Sequence, residues 1–379
     1  MLQPTHLTNR TYMTAGVWII ATVALGMVLA QGAHILAPFA LAIFIWLVME
    51  GFARAIRRPF PHVPDWLAHF FAMAVVAISI VIFISVLRGA IMEFAGKSDL
   101  YEARINDLIR QIYVMLDLTD APPTLSTLIY SNATGRFVEP AIASVQGLAG
   151  DMVLIMIYVA FLYVTANSFS RKLDRIFARP IDRERARLIG ADVRRTMEQY
   201  LWVQTALSII TTVLTYVTLL AVGLDNALFW AFVIFVLNYI PTIGSIVAGV
   251  LPALFAVAQP VWPPWMPHDP LWCAAIVFLG VSIWQFLIGN FVGPRMTSNS
   301  LNLSALVVLL SLAVWGALWG LPGMFLSAPL TVLIMIVLAQ IPGARWIAVL
   351  MSADGNPGEY AVRHDEGPPD HRHEQLTDI

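Results

Sequence analysis

The chain has 379 residues, of which 59% are hydrophobic and 12% charged, with a net charge near −2 and a mean hydropathy of +0.74. A soluble domain carries about twice that share of charge, so the composition describes a polytopic membrane protein. It lacks the basic footprint of a nucleic-acid binder, and its single cysteine, Cys273, excludes an intramolecular disulfide and a cysteine metal site.

Residues 1–14 are polar, and Ala15–Ala30 is apolar enough to resemble a signal-peptide core. A second apolar run, Ile35–Met49, follows at once through Gln31-Gly32-Ala33-His34, which reads better as a helical hairpin in the membrane. Arg54, Arg57 and Arg58 come next, then Pro59, Pro61 and Pro64 stop any helix before Trp66–Leu87 spans again. Arginines near a membrane end favour the cytoplasm, which also places the N-terminus inside.

Residues 88–146 mix acidic side chains with a helical face that includes Leu108, Ile112 and Met115, and Pro122-Pro123 separates a second helix. This reads as a small extracytoplasmic helical domain. Gly150–Ala166 crosses back, and Ser170–Gln199 is strongly basic, so it too reads as cytoplasmic. Pro180 followed by Asp182 marks a helix start, and Ile189, Val193, Met197 and Tyr200 lie near one another on its surface, which suits rest on the membrane interface.

Leu201–Val222 carries a polar stripe, Gln204, Thr205, Ser208, Thr211, Thr212, Thr215, Tyr216 and Thr218, that covers less than half of a helix circumference. Such a face meets another helix, as Ser and Thr commonly do, or it walls a pathway.

From Asp225 to Arg345 the intervening formal charges are Asp269 and Arg295. Two apolar runs in this stretch, Ala227–Ala258 and Leu303–Gln340, exceed the roughly 20 residues of a simple span. The first is interrupted by Asn238-Tyr239-Ile240-Pro241-Thr242-Ile243-Gly244-Ser245, the second by Trp319-Gly320-Leu321-Pro322-Gly323-Met324. Proline removes a backbone donor and glycine relaxes φ, so each break ends a helix. Freed backbone groups cannot face lipid; they are buried in protein or line a wet cavity. Paired Gly/Pro-interrupted segments point to a substrate site. The alternatives are ordinary hairpins, kinked long helices or re-entrant hairpins entering from opposite sides. Between them, a proline- and tryptophan-rich loop at 259–270 sits at an interface, Leu271–Ile288 crosses, and Gly293–Ser300 is a polar connector. The tail from Ser352 is acidic, with His364, His371 and His373 in a flexible stretch.

The reading is an all-α polytopic membrane protein of about eight transmembrane segments, two of them broken or re-entrant, plus a small helical extramembrane domain. It divides into three N-terminal helices (1–87), the extracytoplasmic domain (88–146), a crossing helix with a basic linker (147–200), a transport core (201–344) and a disordered cytoplasmic tail (345–379). The protein is placed in the cell's inner membrane with both termini cytoplasmic. Candidate pathway residues are Asn238, Pro241, Gly244, Ser245, Gln285, Asn290, Arg295, Pro322 and Gly323 with Gln204, Ser208 and Thr212. An ionisable group within the membrane is usually functional, but none sits mid-segment. Asp225 and Glu198, at segment ends, are therefore the candidates for ion coupling, with a turn or cap role the alternative for Asp225. No Ser/His/Asp set, metal spacing or phosphate loop lies at membrane depth, so neither an enzyme nor a bound cofactor or metal is expected. The partners expected are a small polar solute and the lipid bilayer.

Asn238-Tyr239-Ile240-Pro241-Thr242-Ile243-Gly244 followed by Pro252, Gly293-Pro294-Arg295 before Leu306–Leu310, Gly316, Gly320-Leu321-Pro322-Gly323-Met324 and Ala328-Pro329-Leu330 resemble the autoinducer-2 exporter family. The order of apolar, polar and basic regions also matches, over most of the chain. The resemblance implies a permease of about eight segments, a pentameric homo-oligomer, an elevator-like moving part and export of a small polar signal used in quorum sensing. Other members resemble Na⁺/H⁺ antiporters, and a non-transporting scaffold is a further alternative. Where the family often carries a Gly-Lys pair and a Leu-His-Pro-like turn after the arginine, this chain has Ser298-Asn299 and Leu303-Ser304-Ala305, so a basic group is missing beside Arg295.

Overall fold

Long apolar runs punctuated by proline, glycine and short polar turns give helices almost wherever the chain is described. The computed structural model describes residues 9–60, 62–118, 121–130, 150–165, 172, 175–176, 179–267, 269–297, 302–341 and 343–357. The elements are α1 (Asn9–Gln31), α2 (Ala33–Arg57), α3 (Asp65–Gly96), α4 (Ser98–Met115), α5 (Leu125–Tyr130) and α6 (Gly150–Thr165). They continue with α7 (Pro180–Val222), α8 (Ala227–Leu237), α9 (Ile243–Ala258), α10 (Pro270–Leu287), α11 (Gly293–Thr297), α12 (Ala305–Ala339) and α13 (Arg345–Met351).

Five described helices are long and apolar enough to cross a membrane: Ala33–Arg54, Asp65–Gly96, Pro180–Val222, Pro270–Met296 and Ala305–Ala339. Shorter apolar helices lie at Ile20–Gln31, Gly150–Thr165, Ala227–Leu237 and Ile243–Ala258. The starts follow local chemistry. Asp269 accepts hydrogen bonds from the Leu271 and Trp272 amides at 2.7 and 3.4 Å, with Pro270 in the first turn, and Ser304 accepts from Val307 at 3.3 Å.

Three elements differ from the sequence expectation. The basic stretch and the polar-striped span form one helix, α7, which runs unbroken through Tyr200 for 43 residues, or about 65 Å, instead of resting on the interface as a separate piece. After Pro180 at its start no proline follows, and the lone Gly190 is absorbed in the helix, so α7 continues to Gly223, whose φ is +81°. Gly293–Thr297 is helical too. The chain after α10 passes through a single π-helical turn, Ile288–Val292, where the Gly293 amide donates to the Ile288 carbonyl, and then enters α11. Finally, the first part of the C-terminal region is ordered. α13 packs Ala348 against Met335 and Ala339, and the strand-like residues beyond it pair with Asn302–Ser304. The tail histidines and residues 131–149 lie outside the described residues.

The first broken segment is a helical hairpin. Gln259, just past α9, accepts from the Asp225 amide at 2.8 Å and donates to the Gly223 carbonyl at 2.9 Å, so the chain returns to where α8 began. α12 folds back in the same way about Gly320, whose φ of +63° and ψ of −140° end its first half. Leu303, before that half, packs on Met335 and Ala339 near the end of the second. The first hairpin opens at the Gly223 end of α7. The second opens near Met197, which packs on Val332 and Ile336 toward the other end of that helix.

In both hairpins a glycine permits the close fold-back. A Cβ on Gly244 would lie 1.8 Å from the Leu237 carbonyl oxygen, and one on Gly323 1.9 Å from that of Trp315. Each change is expected to force the hairpin apart at a cost of about 2 kcal/mol or more. Thermal unfolding of purified protein checks this: Gly244→Ala and Gly323→Ala should lower the midpoint. Gly190→Ala, which meets nothing on the exposed face of α7, should leave it unchanged or raise it through better helix propensity.

Candidate functional site

The tip of the first hairpin is built from a strained turn. The Ile243 amide donates to the Pro241 carbonyl at 2.6 Å, closing a three-residue turn around Thr242, whose φ and ψ are 59° and −58°. These are the angles of the rare γ-turn, on a β-branched residue that disfavours positive φ. Backbone held in such a region concentrates at functional sites. Directly before the turn, Asn238 ties the tip to two other helices. Its carbonyl accepts from Gln204 of α7 at 2.6 Å, and its side-chain oxygen accepts from Gln285 of α10 at 2.8 Å. The Gln204 bond satisfies a carbonyl freed where α8 ends.

Beside this tip lies a groove of about 760 Å³ between α7, the hairpin, α10 and the π turn. Of the sequence-selected residues it gathers Gln204, Ser208, Asn238, Pro241, Ser245, Gln285 and Asn290, and it adds Thr211, Thr242 and Ser282. Phe278 and Phe286 supply apolar wall. None of its lining residues carries a charge. The π turn exists because Pro294 has no amide hydrogen for the α-helical bond back to Asn290. It turns Gly289 and Asn290 into the lining, and Asn290 donates to the Phe286 carbonyl at 2.9 Å.

Ser208 is fully buried in the groove wall, and its hydroxyl has no hydrogen-bond partner among the described residues. Those of Thr212 and Thr215, on the same stripe of α7, are also buried without a partner there. Buried polar atoms are rarely left unpaired, so these three hydroxyls are an unused set of hydrogen-bonding groups within the stripe. Thr205 and Thr211 differ, because their hydroxyls donate to the Leu201 and Leu207 carbonyls of their own helix.

Other selected residues stand elsewhere. Thr212 is outside the groove lining, and Gly244 supports the turn from behind. Arg295 is exposed on α11 beyond Pro294. Pro322 and Gly323 belong to the tip of the second hairpin. That tip nevertheless meets the first: the rings of Tyr239 and Phe325 stack at 4.7 Å, and Phe44 of α2 sets its edge against both. Tyr239 also shares a 2.8 Å hydrogen bond with Thr205. Trp319 donates to the Leu29 carbonyl of α1 at 3.0 Å, and Trp315 to Thr331 at 3.2 Å. Sequence reasoning missed the Tyr239–Phe325 stack, although an aromatic residue at each break was the signal for it.

The two coupling candidates are engaged in ion pairs outside the groove. Asp225 receives Lys97 at 2.8 Å and the Tyr101 hydroxyl at 2.9 Å, so it clamps α3 and α4 to the base of the first hairpin. Burial pushes the Tyr101 phenol up, and Asp225 adds to that. Burial alone would lower Lys97, but its hydrogen bonds to Asp225 and Glu93 outweigh it and hold the ammonium above its ordinary range. The clamp is therefore complete below the ordinary lysine range and loosens only as pH rises through the raised one. Glu198 pairs with Arg194 at 2.8 Å and with Arg54.

Because the γ-turn imposes a positive φ on Thr242, Thr242→Gly is expected to stabilise the purified protein by about 1 kcal/mol, read as a higher unfolding midpoint. An unchanged or lower midpoint would show that the turn is not strained.

Residues 18–343 match the model of the family described as AI-2E family transporter. The AI-2 transport protein TqsA of Escherichia coli K12 is 29% identical over 323 residues, covering 84% of this chain and 90% of TqsA. A putative transport protein of Haemophilus influenzae is 27% identical over 351 residues, 89% of this chain and 94% of its own length. The putative transport protein YhhT of Escherichia coli K12 is 24% identical over 351 residues, with the same shares of each chain.

Proposed function

This chain belongs to the AI-2E family of transporters, and on that premise we propose that it is an inner-membrane permease for a small, uncharged, hydroxyl-bearing solute, bound in the groove beside the first hairpin. The observation that carries this reading is the groove's lining: amides and hydroxyls from four elements with no formal charge among them. A carboxylate or phosphate entering it would shed water without gaining a counter-charge, at a cost of several kcal/mol. A polyol meets the amides and hydroxyls of Gln204, Ser245, Ser282, Gln285 and Asn290, with the apolar faces of Phe278 and Phe286 beside them. A signal of the autoinducer-2 kind fits this description, and TqsA carries that substrate in its name.

The two hairpins supply the moving parts of this proposal. α8 at 11 residues and α9 at 16 are about 17 and 24 Å long, short of the roughly 30 Å of hydrocarbon, which suits a re-entrant hairpin. Their opposed openings and touching tips suit alternating access, in which one hairpin slides past the other like an elevator to open the groove first to one side and then to the other. Both termini lie in the cytoplasm in this reading, with the arginines at 54, 57 and 58 favouring that side for the N-terminal hairpin, and copies of the chain assemble as an oligomer.

Flux of labelled autoinducer-2, of a neutral polyol of similar size and of its carboxylate analogue in proteoliposomes tests the proposal. Replacing both Gln204 and Asn238 by Leu removes two polar contacts of roughly 1 kcal/mol each, so neutral-solute flux should fall about tenfold or more while the protein still inserts. Unchanged flux in this variant, or equal carriage of the carboxylate, contradicts the groove as the solute site.

A further inference from the structure

We propose that His69 and Glu50 form a proton-binding site that couples proton movement to solute transport. The coupling rests on the permease reading above; the proton site does not. His69 lies near the start of α3 and Glu50 near the end of α2. The Nδ1 atom of His69 is 2.7 Å from the Asp65 carbonyl oxygen, and its Nε2 is 2.9 Å from Oε2 of Glu50. A carbonyl oxygen only accepts, so Nδ1 carries a hydrogen. A carboxylate likewise only accepts, so the contact at Nε2 also requires a hydrogen between the two atoms. The pair therefore holds one proton more than a neutral imidazole beside a carboxylate. Carried on the ring, this hydrogen makes the contact a charge-assisted bond to the carboxylate.

The surroundings give this proton a mechanical meaning. Glu50 accepts Arg194 of α7 through its other oxygen at 2.6 Å, and Arg194 reaches Glu198 at 2.8 Å. Arg54 of α2 pairs with Glu198, and Arg57 with Asp65. From α6 the Tyr163 ring lies 5.1 Å from His69. α8, which also packs on α3, brings no titratable side chain. Three cations, Arg54, Arg194 and protonated His69, thus face two carboxylates, Glu50 and Glu198. The side chains of His69 and Glu50 are each 16% exposed, enough for one edge to exchange a proton with water.

On release, the Nε2–H bond breaks, its electron pair stays on the nitrogen and the proton passes to water. A lone pair then faces a carboxylate oxygen at 2.9 Å, and attraction becomes repulsion. α3 loses this polar tie to α2 and is left with the Arg57–Asp65 pair at its first turn, while Arg194 keeps Glu50 bound to α7. Glu198 precedes Gln204 of the groove by less than two turns of that same helix, about 9 Å. The rod that senses the proton is the rod that binds the tip.

Two measurements decide the matter. The full-length protein, labelled with 15N-histidine and held in nanodiscs in neutral buffer, gives the state of His69 as the wild-type spectrum minus that of His69→Gln. Two protonated ring nitrogens are expected, with one of them bare in Glu50→Gln; a neutral ring in the wild type overturns the proton site. In proteoliposomes carrying autoinducer-2, a gradient of one pH unit should change wild-type flux by up to about tenfold. His69→Gln should keep gradient-free exchange and lose that response. An equal response in His69→Gln, or none in the wild type, overturns the coupling. Absence of all solute flux in the wild type overturns the permease reading and the coupling with it, while the nitrogen spectrum still decides the proton site.

Discussion

The contact between the Tyr239 and Phe325 rings is where the two broken segments meet, and the rest of the architecture depends on it. A chain that breaks its helices inside an apolar bundle leaves carbonyl and amide groups that lipid cannot satisfy. Here the Asn238 carbonyl freed at the first break takes Gln204, and side chains anchor both breaks to neighbouring helices, Tyr239 through Thr205 and Trp319 through the Leu29 carbonyl. α7 serves the first tip, α1 and α2 the second. The stack and the surrounding core of Phe44, Leu201, Trp315 and Leu326 hold both tips at one level, and that allows a polar groove to exist beside them.

Charge is distributed with the same economy. The groove lining is neutral, and two ion-pair clusters flank it, one beside the middle of α7 and one just past its C-terminal end. One cluster, around Glu50, His69, Arg194 and Glu198, joins α2 and α3 to the middle of α7; the other, around Asp225, Lys97 and Tyr101, joins α3, α4 and the first hairpin beyond the end of α7. Each ties an outer helix to an element that contacts the groove. A change of charge at either cluster therefore has a packed route to the groove, which a charge in a loose loop would lack.

Much of this was legible in the sequence. Proline and glycine act locally, so Pro241, Gly244, Gly320 and Pro322 marked the breaks, and the polar stripe of α7 followed from helical spacing alone. What the sequence left open was set by tertiary contacts. Whether each broken run folds back or continues depends on Gln259 reaching Gly223 and on Leu303 reaching Met335, contacts separated by more than 30 residues. Likewise Asp225 and Glu198 have ordinary carboxylates in sequence, and only the fold shows that each is spent on a cation. Arg295 stood beside the break motifs, but in the fold it is exposed on α11 and outside the groove lining, which ends at Pro294.

In the proposed alternating access one hairpin slides past the other, and for this the two touching tips must part. This requirement is tested most directly by joining them, with Tyr239→Cys and Phe325→Cys in a Cys273→Ser background, in proteoliposomes loaded with autoinducer-2. The account expects oxidation, or a short bifunctional thiol reagent, to stop solute flux, and cleavage of the link to restore it. Flux that continues at its full rate with the tips covalently joined would contradict the account.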